Sequence, residues 1–312
     1  MEPTETVTDG LVWHYTDGPG LLSIVQSDTL WCTASSFLND AGEVTLGARM
    51  LVEELQRRTR EDPRYEMLLP FADRAEDARP GGPDQGPSPG TFFILSAARS
   101  RDLLAMWRLY GGRGESYAVG LDPEQELSVL GRADSDPHDV RVQRWPWRPV
   151  RYSASDQQLL LDAVFDELPE ELRIAQRHLA DGGGAEDLVA PLAGLRDDME
   201  AALMLIKHEG FVDERETRYC VGMHQVPSAA VTSTLPPDLT RFRPTRYGMA
   251  PYLVLTGGAG TPVATQAQPL PIRAVAVSPS PNGQAATDSI RAALMAAGYD
   301  VPVIRSRIPF RE

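Results

Sequence analysis

Lysine is almost missing from this sequence: Lys207 is the only one, against 30 lysines and arginines together. Alanine, glycine and proline are plentiful at the same time. The pattern reads as a high-GC coding bias, so arginine counts carry little functional weight. Cysteine is nearly absent too. Cys32 and Cys220 stand far apart and outside any C-x-x-C pair, which suggests neither a zinc site nor a disulfide framework. Long apolar runs are lacking, so no segment reads as a membrane span. The N-terminal MEPTETVTDG is acidic and polar and is no signal peptide. Together these features point to a cytoplasmic protein with reduced thiols. The balance of charge is -14, which disfavours generic binding to nucleic-acid backbones or anionic membranes. Neither a G-x-G-x-x-G nor a G-x-x-x-x-G-K-[ST] run occurs, so Rossmann and P-loop chemistry are not encoded in their usual form.

What is present is a soluble globular composition over 312 residues, enough for a sizeable core. LVWHYT (11–16) reads as a strand. Asp17, Gly18 and Pro19 then open a helix to about residue 27, and Leu30–Thr33 forms a second short strand. A polar turn at 35–43 leads into a helix over about 43–60. The Pro/Gly-rich stretch 78–90 is a linker or loop. TFFILSA (91–97) is apolar throughout, as expected of a strand buried on both faces. A short helix (101–110), a strand (117–121), an irregular Trp/Pro/Arg-rich stretch (131–149) and a strand at 150–153 follow. A helical insertion spans about 155–208, broken at 181–184. Residues 225–245 read as loop. Strands at 250–256 and 272–279, a helix at 284–298 and a closing strand complete the chain. The irregular alternation argues for one α+β domain over 1–312, with a mixed or antiparallel sheet and flanking helices.

The residues that bear chemistry fall into a few groups. Lys207 to Val221 runs from a helix end into a strand. Period two puts Glu214, Glu216 and Arg218 on one face of an extended segment and Thr217, Tyr219 and Val221 on the other. Two carboxylates side by side need a cation, and Arg218 and Lys207 are the candidates. Taken alone, the segment reads as a solvated edge strand with a local ion pair. His14, Tyr15 and Thr16 end the first strand. They offer a switchable donor and acceptor, a flat face and a hydroxyl, a set suited to a ribose and a flat base. Satisfaction of His14 and Tyr15 by backbone groups explains them equally well. Asn39 and Asp40, followed by Glu43, are explained more simply as a turn and capping box; Asn39 is nonetheless kept as a candidate ligand contact. Trp107 and Tyr110, spaced i, i+3, share a helical face and serve either the core or a ligand ring. The five histidines are scattered, His208-Glu209 makes no H-E-x-x-H, and no metal is expected.

The order HYT, FLND with Glu, MWRLY, YAVGLD, EGFVDERETRY and VIRSRIPFR resembles domain-of-unknown-function family 2971, from about Leu11 to Arg311. FLNDAGE departs from that family's pattern by one inserted residue after Phe37 and by alanine in place of proline. The family supplies no activity. A second resemblance does. A strand with His and Thr, a helix, a short strand, an aromatic and a late Glu-x-Glu are similar to the ADP-ribosyltransferase superfamily, although its usual Ser-Thr-Ser strand is not evident. The resemblance implies that NAD is the substrate and that His14, Tyr15 and Thr16 hold it. It implies that Trp107 or Tyr110 stacks on nicotinamide, that Glu216 contacts the ribose beside the breaking bond, and that Glu214 orients or deprotonates the acceptor. Breaking that bond generates an oxocarbenium-like sugar, which a fixed carboxylate stabilises by about 3–4 kcal/mol. Arg218 would keep Glu216 ionised.

Three readings follow. One is an NAD-using ADP-ribosyltransferase or glycohydrolase, with a macromolecule, small molecule or water as acceptor. The second is a non-catalytic nucleotide-sensing or partner-binding protein of a defence or regulatory system. In the third, the acidic strand and the aromatics only stabilise the fold.

Overall fold

The computed structural model describes residues 9–38, 43–69, 91–110, 114–132, 140–166, 169–182, 198–199, 201–225, 236–245, 248–279 and 283–309. The expected linker at 78–90 and Asn39 lie outside them. Among the described residues twelve strands form one sheet around β3 (Thr91–Ala98). Along its whole length β3 pairs antiparallel with β7 (Glu216–Gln225), and β7 pairs on with β6 (Val140–Pro149). The other edge of β3 is shared. β2 (Leu30–Ala34) takes it at Phe93 and Ile94, and β1 (Val12–Asp17) takes it at Ala98. Between those points β1 and β2 diverge, so the edge of β3 near Leu95 and Ser96 faces a gap instead of a strand.

Beyond β1 come β4 (Ser116–Leu121), β11 (Ile272–Val277) and β12 (Val303–Arg305). Beyond β2 comes β9 (Gly248–Gly257), which carries both β5 (Leu127–Leu130) and β8 (Thr240–Thr245); β5 pairs with β10 (Val263–Ala264). All pairings are antiparallel except β5–β10 and β11–β12. The α+β class with a mostly antiparallel sheet is therefore as the sequence suggests.

Both sheet faces are covered. On one, α1 (Gly18–Ser27) inserts Leu21, Ile24 and Val25 among Val12, Phe93, Leu95 and Val119, and α6 (Gly283–Ala296) adds Leu294. The Asp17 side chain accepts from the Gly20 amide at 2.8 Å and caps α1. This turn lies so close to β1 that a Cβ on Gly20 would stand 2.0 Å from Thr16 Oγ1, so a larger residue would displace that hydroxyl. On the opposite face, α2 (Glu43–Glu61), α4 (Ala154–Asp166) and α5 (Pro169–Ala180) pack with Met199 and residues 201–206 onto Phe92, Ile94 and Cys220. The short helix α3 (Leu104–Tyr110) covers Trp13, Tyr15 and Ala118 on that same side. Arg58 of α2 ties this layer together. It donates to Glu54 at 2.6 Å, Asp162 at 2.9 Å and Asp166 at 3.0 Å, and it lies over the Phe165 ring at 5.2 Å. Burial alone would push the Glu54 carboxyl up, but hydrogen bonds from Arg57, Arg58 and Gln158 outweigh it and bring its pKa to about 2.

Several segments differ from the sequence expectation. The Trp/Pro/Arg-rich stretch is not irregular throughout: β6 fills 140–149, with a break in register between Trp145 and Arg148. Pro146 falls in that break, where its missing N–H is tolerated. Residues 240–245 form β8, not loop. β5 and β10 were not anticipated. The strand expected at 150–153 reduces to a single bridge, Arg151 to Ile206. The helical insertion divides near Pro169 into α4 and α5. Its last turn ends before Lys207, which is not helical. Cys32 and Cys220 are buried free thiols.

Arg58→Ala is expected to destabilise the fold by about 1–3 kcal/mol. It removes the bridge between α2 and α4 while leaving Glu54 buried beside Arg57. A urea titration that found no change would show that the helical layer does not depend on this side chain.

Candidate functional site

The gap between β1 and β2 opens into a cleft of about 590 Å³, within the range of small-molecule sites. One wall is the end of β1 with the first turn of α1: His14, Tyr15, Thr16, Asp17 and Gly20. The floor is Leu95 and Ser96 on the unpaired edge of β3, and Tyr110 closes one side. Trp31 and Thr33 of β2 and Arg243 of β8 form the opposite wall.

His14 stands in for the strand that β3 lacks here. Its Nδ1 lies 2.9 Å from the Ser96 carbonyl, which can only accept, so Nδ1 carries the proton. Burial lowers the His14 pKa, and the bond to Ser96 only partly opposes it. The ring is therefore neutral at pH 7 and keeps Nε2 as an acceptor.

Tyr15 is more fixed. It is 4% exposed, donates to the Ser100 carbonyl at 2.9 Å and accepts from the Leu103 amide at 3.1 Å. Its hydroxyl is thus committed to the backbone, and it contributes ring surface to the cleft. The two aromatics of α3 separate. Trp107 is buried, donates to Asp102 at 2.9 Å and meets Tyr15 edge-on at 4.6 Å; it belongs to the core and does not line the cleft. Tyr110 does line it and is 37% exposed. Burial first, then Glu214 and Glu216, push its phenol up to about 12, so it stays a neutral donor.

Behind Tyr110 and Ser96 lies the acidic pair. Glu216 is not on a solvated edge strand: β7 is an interior strand, and Glu216 and Arg218 are 4% and 2% exposed. Glu216 Oε1 accepts from Arg218 Nε at 2.8 Å. Oε2 accepts from Arg218 Nη2 and from Lys207 Nζ, each at 2.9 Å. The Ser96 hydroxyl also bonds to this carboxylate. Glu214, unlike Glu216, is not on the strand. It ends a 3-10 turn (Glu209–Glu214), and Arg215 follows in the left-handed region at φ 47°. That kink, and not strand periodicity, makes the two glutamates converge on Lys207 Nζ, 2.8 Å from Glu214. Lys207 also sits 4.8 Å from the Phe211 ring centroid. The cluster of two cations and two carboxylates is balanced in charge. Burial would raise the Glu216 pKa, but Arg218 and then Lys207 outweigh it and hold it at about 2.

The structure thus brings His14, Tyr15, Thr16 and Tyr110 into one cleft, with Glu214, Glu216 and Arg218 one side chain behind its wall. Ser96, which joins the two, was not singled out from the sequence. Its only signal there was a hydroxyl in an otherwise apolar strand. Arg243 was likewise hidden in a stretch read as loop. Among the described residues no group of three or more His, Cys, Asp or Glu is placed to hold a metal ion, and no helix is long and apolar enough to cross a membrane.

A carboxyl shifted from 4.5 to about 2 contributes roughly 3 kcal/mol of stability. Because the folded pKa is the lower one, this contribution is present above pH 4.5 and is lost as pH falls towards 2. Glu216→Gln is expected to lower stability at pH 7 by about 2–4 kcal/mol and to flatten the loss between pH 5 and pH 3. Denaturant melts across that range measure both. An equally stable variant with the wild-type pH slope would show that the carboxylate does not anchor the fold.

No protein-family model matches the chain, and neither a curated protein nor a solved structure matches it.

Proposed function

We propose that the cleft between β1 and β2 binds a nucleotide, with NAD as the ligand whose chemistry it suits. The observation that carries this reading is the convergence of His14, Thr16, Ser96 and Tyr110 on one cleft of about 590 Å³. Neutral His14 offers an acceptor to a ribose hydroxyl. The Thr16 hydroxyl adds a donor and an acceptor, and the Ser96 hydroxyl, whose proton is held by Glu216, adds an acceptor. Tyr110 offers an exposed aromatic face to a flat base. The resemblance in motif order to the ADP-ribosyltransferase superfamily supports this ligand, and an ADP-ribosyltransferase-like fold is part of the same proposal.

Two readings share the ligand. In the enzymatic one, the nicotinamide–ribose bond breaks and its electron pair goes to the ring nitrogen. The oxocarbenium-like sugar is stabilised by Glu216 and captured by water or another acceptor, whose proton passes to Glu214. In the binding reading the same cleft senses the nucleotide without turnover. The state of Glu216 favours the second. Arg218 and Lys207 take both carboxylate oxygens, and Glu216 does not line the cleft. Turnover therefore requires Tyr110 or Ser96 to move so that a ribose hydroxyl replaces one of these contacts.

NAD at a hundred times its dissociation constant is expected to stabilise the folded protein by about 2.7 kcal/mol. Tyr110→Ala, which removes a partly exposed ring, should weaken that binding by up to about tenfold, with a cost of about 1 kcal/mol to the unliganded fold. Nicotinamide release, followed on the same samples, separates turnover from sensing. Absence of any NAD-dependent stabilisation of the wild type would overturn the nucleotide reading.

A further inference from the structure

Among the described residues Arg243 is the only permanently charged cation lining the cleft, and nothing in the proposed chemistry uses it. It projects from β8, which pairs only with β9. The registers Arg243 with Ala250, Arg241 with Tyr252 and Tyr252 with Thr33 put one face of β8, β9 and β2 towards the cleft. The guanidinium is held in place there. Nη2 donates to Thr33 Oγ1 at 2.9 Å, and the group lies over the Trp31 ring, 5.5 Å from its centroid. Tyr252 backs Trp31 at 4.7 Å.

Two observations point to a ligand for this group. Its Nε is buried and has no hydrogen-bond partner, although a buried donor left unmade is costly. No carboxylate neutralises it among the described residues. The one acidic side chain lining the cleft among the described residues, Asp17, is already engaged as the cap of α1. A fixed, unneutralised guanidinium in a chain of net charge -14 has the properties of an anion receptor. Its planar fork suits phosphate oxygens in particular.

We propose that Arg243, braced by Thr33 and Trp31, is the anion subsite of the cleft and takes a phosphate or diphosphate oxygen of the ligand. Assigning that anion to a nucleotide's diphosphate rests on the nucleotide reading above; the anion subsite itself does not. The subsite lies on the wall opposite His14. An extended ligand would thus be held by charge at one end and by ribose and ring contacts at the other.

The test is isothermal titration of the full chain with inorganic diphosphate, ADP-ribose and adenosine, at low and moderate salt, for the wild type, Arg243→Gln and Arg243→Lys. Diphosphate and ADP-ribose binding should weaken by about tenfold or more in Arg243→Gln, with adenosine binding unchanged. Arg243→Lys should keep the fold and lose part of the affinity, since it retains the charge without the fork. Wild type that fails to bind diphosphate overturns the subsite. So does an Arg243→Gln variant that binds it as well as wild type, or, should that variant not fold, an Arg243→Lys variant of undiminished affinity. Arg243-dependent diphosphate binding with ADP-ribose no tighter than diphosphate would leave the subsite standing and sink the nucleotide reading.

Discussion

The buried carboxylate of Glu216 is the constraint on which the rest of this site depends. A lone carboxylate this deep would be expelled or protonated. It stays ionised because Arg218 grips it from two residues along the same strand and Lys207 reaches it from another segment. Those cations are themselves fixed. Arg218 donates to the Met204 carbonyl at 2.7 Å. The Lys207 backbone is tied to Arg151 at 3.1 Å and to Gln157 at 2.9 Å. Tyr152 accepts from the Glu216 amide at 2.8 Å. One charge cluster thus locks β7, the end of β6, the start of α4 and residues 204–207 into one arrangement. The sole lysine of the chain is spent there, where a compact ammonium can serve two carboxylates at once.

This lock shapes the cleft. β7 holds β3 along one edge, and Glu216 holds the Ser96 hydroxyl. The other edge of β3 is shared between β1 and β2, and their divergence creates the opening. His14 supplies through its side chain the bond that a neighbouring strand would have made. The resulting walls combine hydroxyls, a neutral imidazole, aromatic surface and one unneutralised guanidinium. The net negative charge of the chain therefore says little about the ligand. The local balance decides it: among the described residues the acidic groups nearby serve as a cap or are paired, and Arg243 has no carboxylate.

The sequence made legible what depends on local pattern. The end of β1 and the start of α1 were marked by Asp17-Gly18-Pro19, and the burial of β3 on both faces by its apolar character. His14, Tyr15 and Thr16 were recognisable as a set that meets a turn. What could not be read depends on non-local geometry. Spacing i, i+3 put Trp107 and Tyr110 on one face of a helix, but only packing against Tyr15 decides which ring is core and which faces the cleft. Strand periodicity aligned Glu214 with Glu216 for the wrong reason, because a left-handed Arg215 lies between them. β6 was obscured by Pro146, which sits in a break of register, and β8 by its polar, half-exposed edge position. Ser96 and Arg243 acquire meaning only from the strands that fail to cover them.

Hydrogen exchange with and without NAD tests most directly whether the split between β1 and β2 holds a nucleotide. Ligand in the cleft predicts slowed exchange at the end of β1, the first turn of α1 and the unpaired edge of β3 around Leu95 and Ser96, with α6 unaffected. Protection confined instead to the concavity lined by Arg99, Asp102 and Trp147, or no protection at saturating NAD, would contradict it.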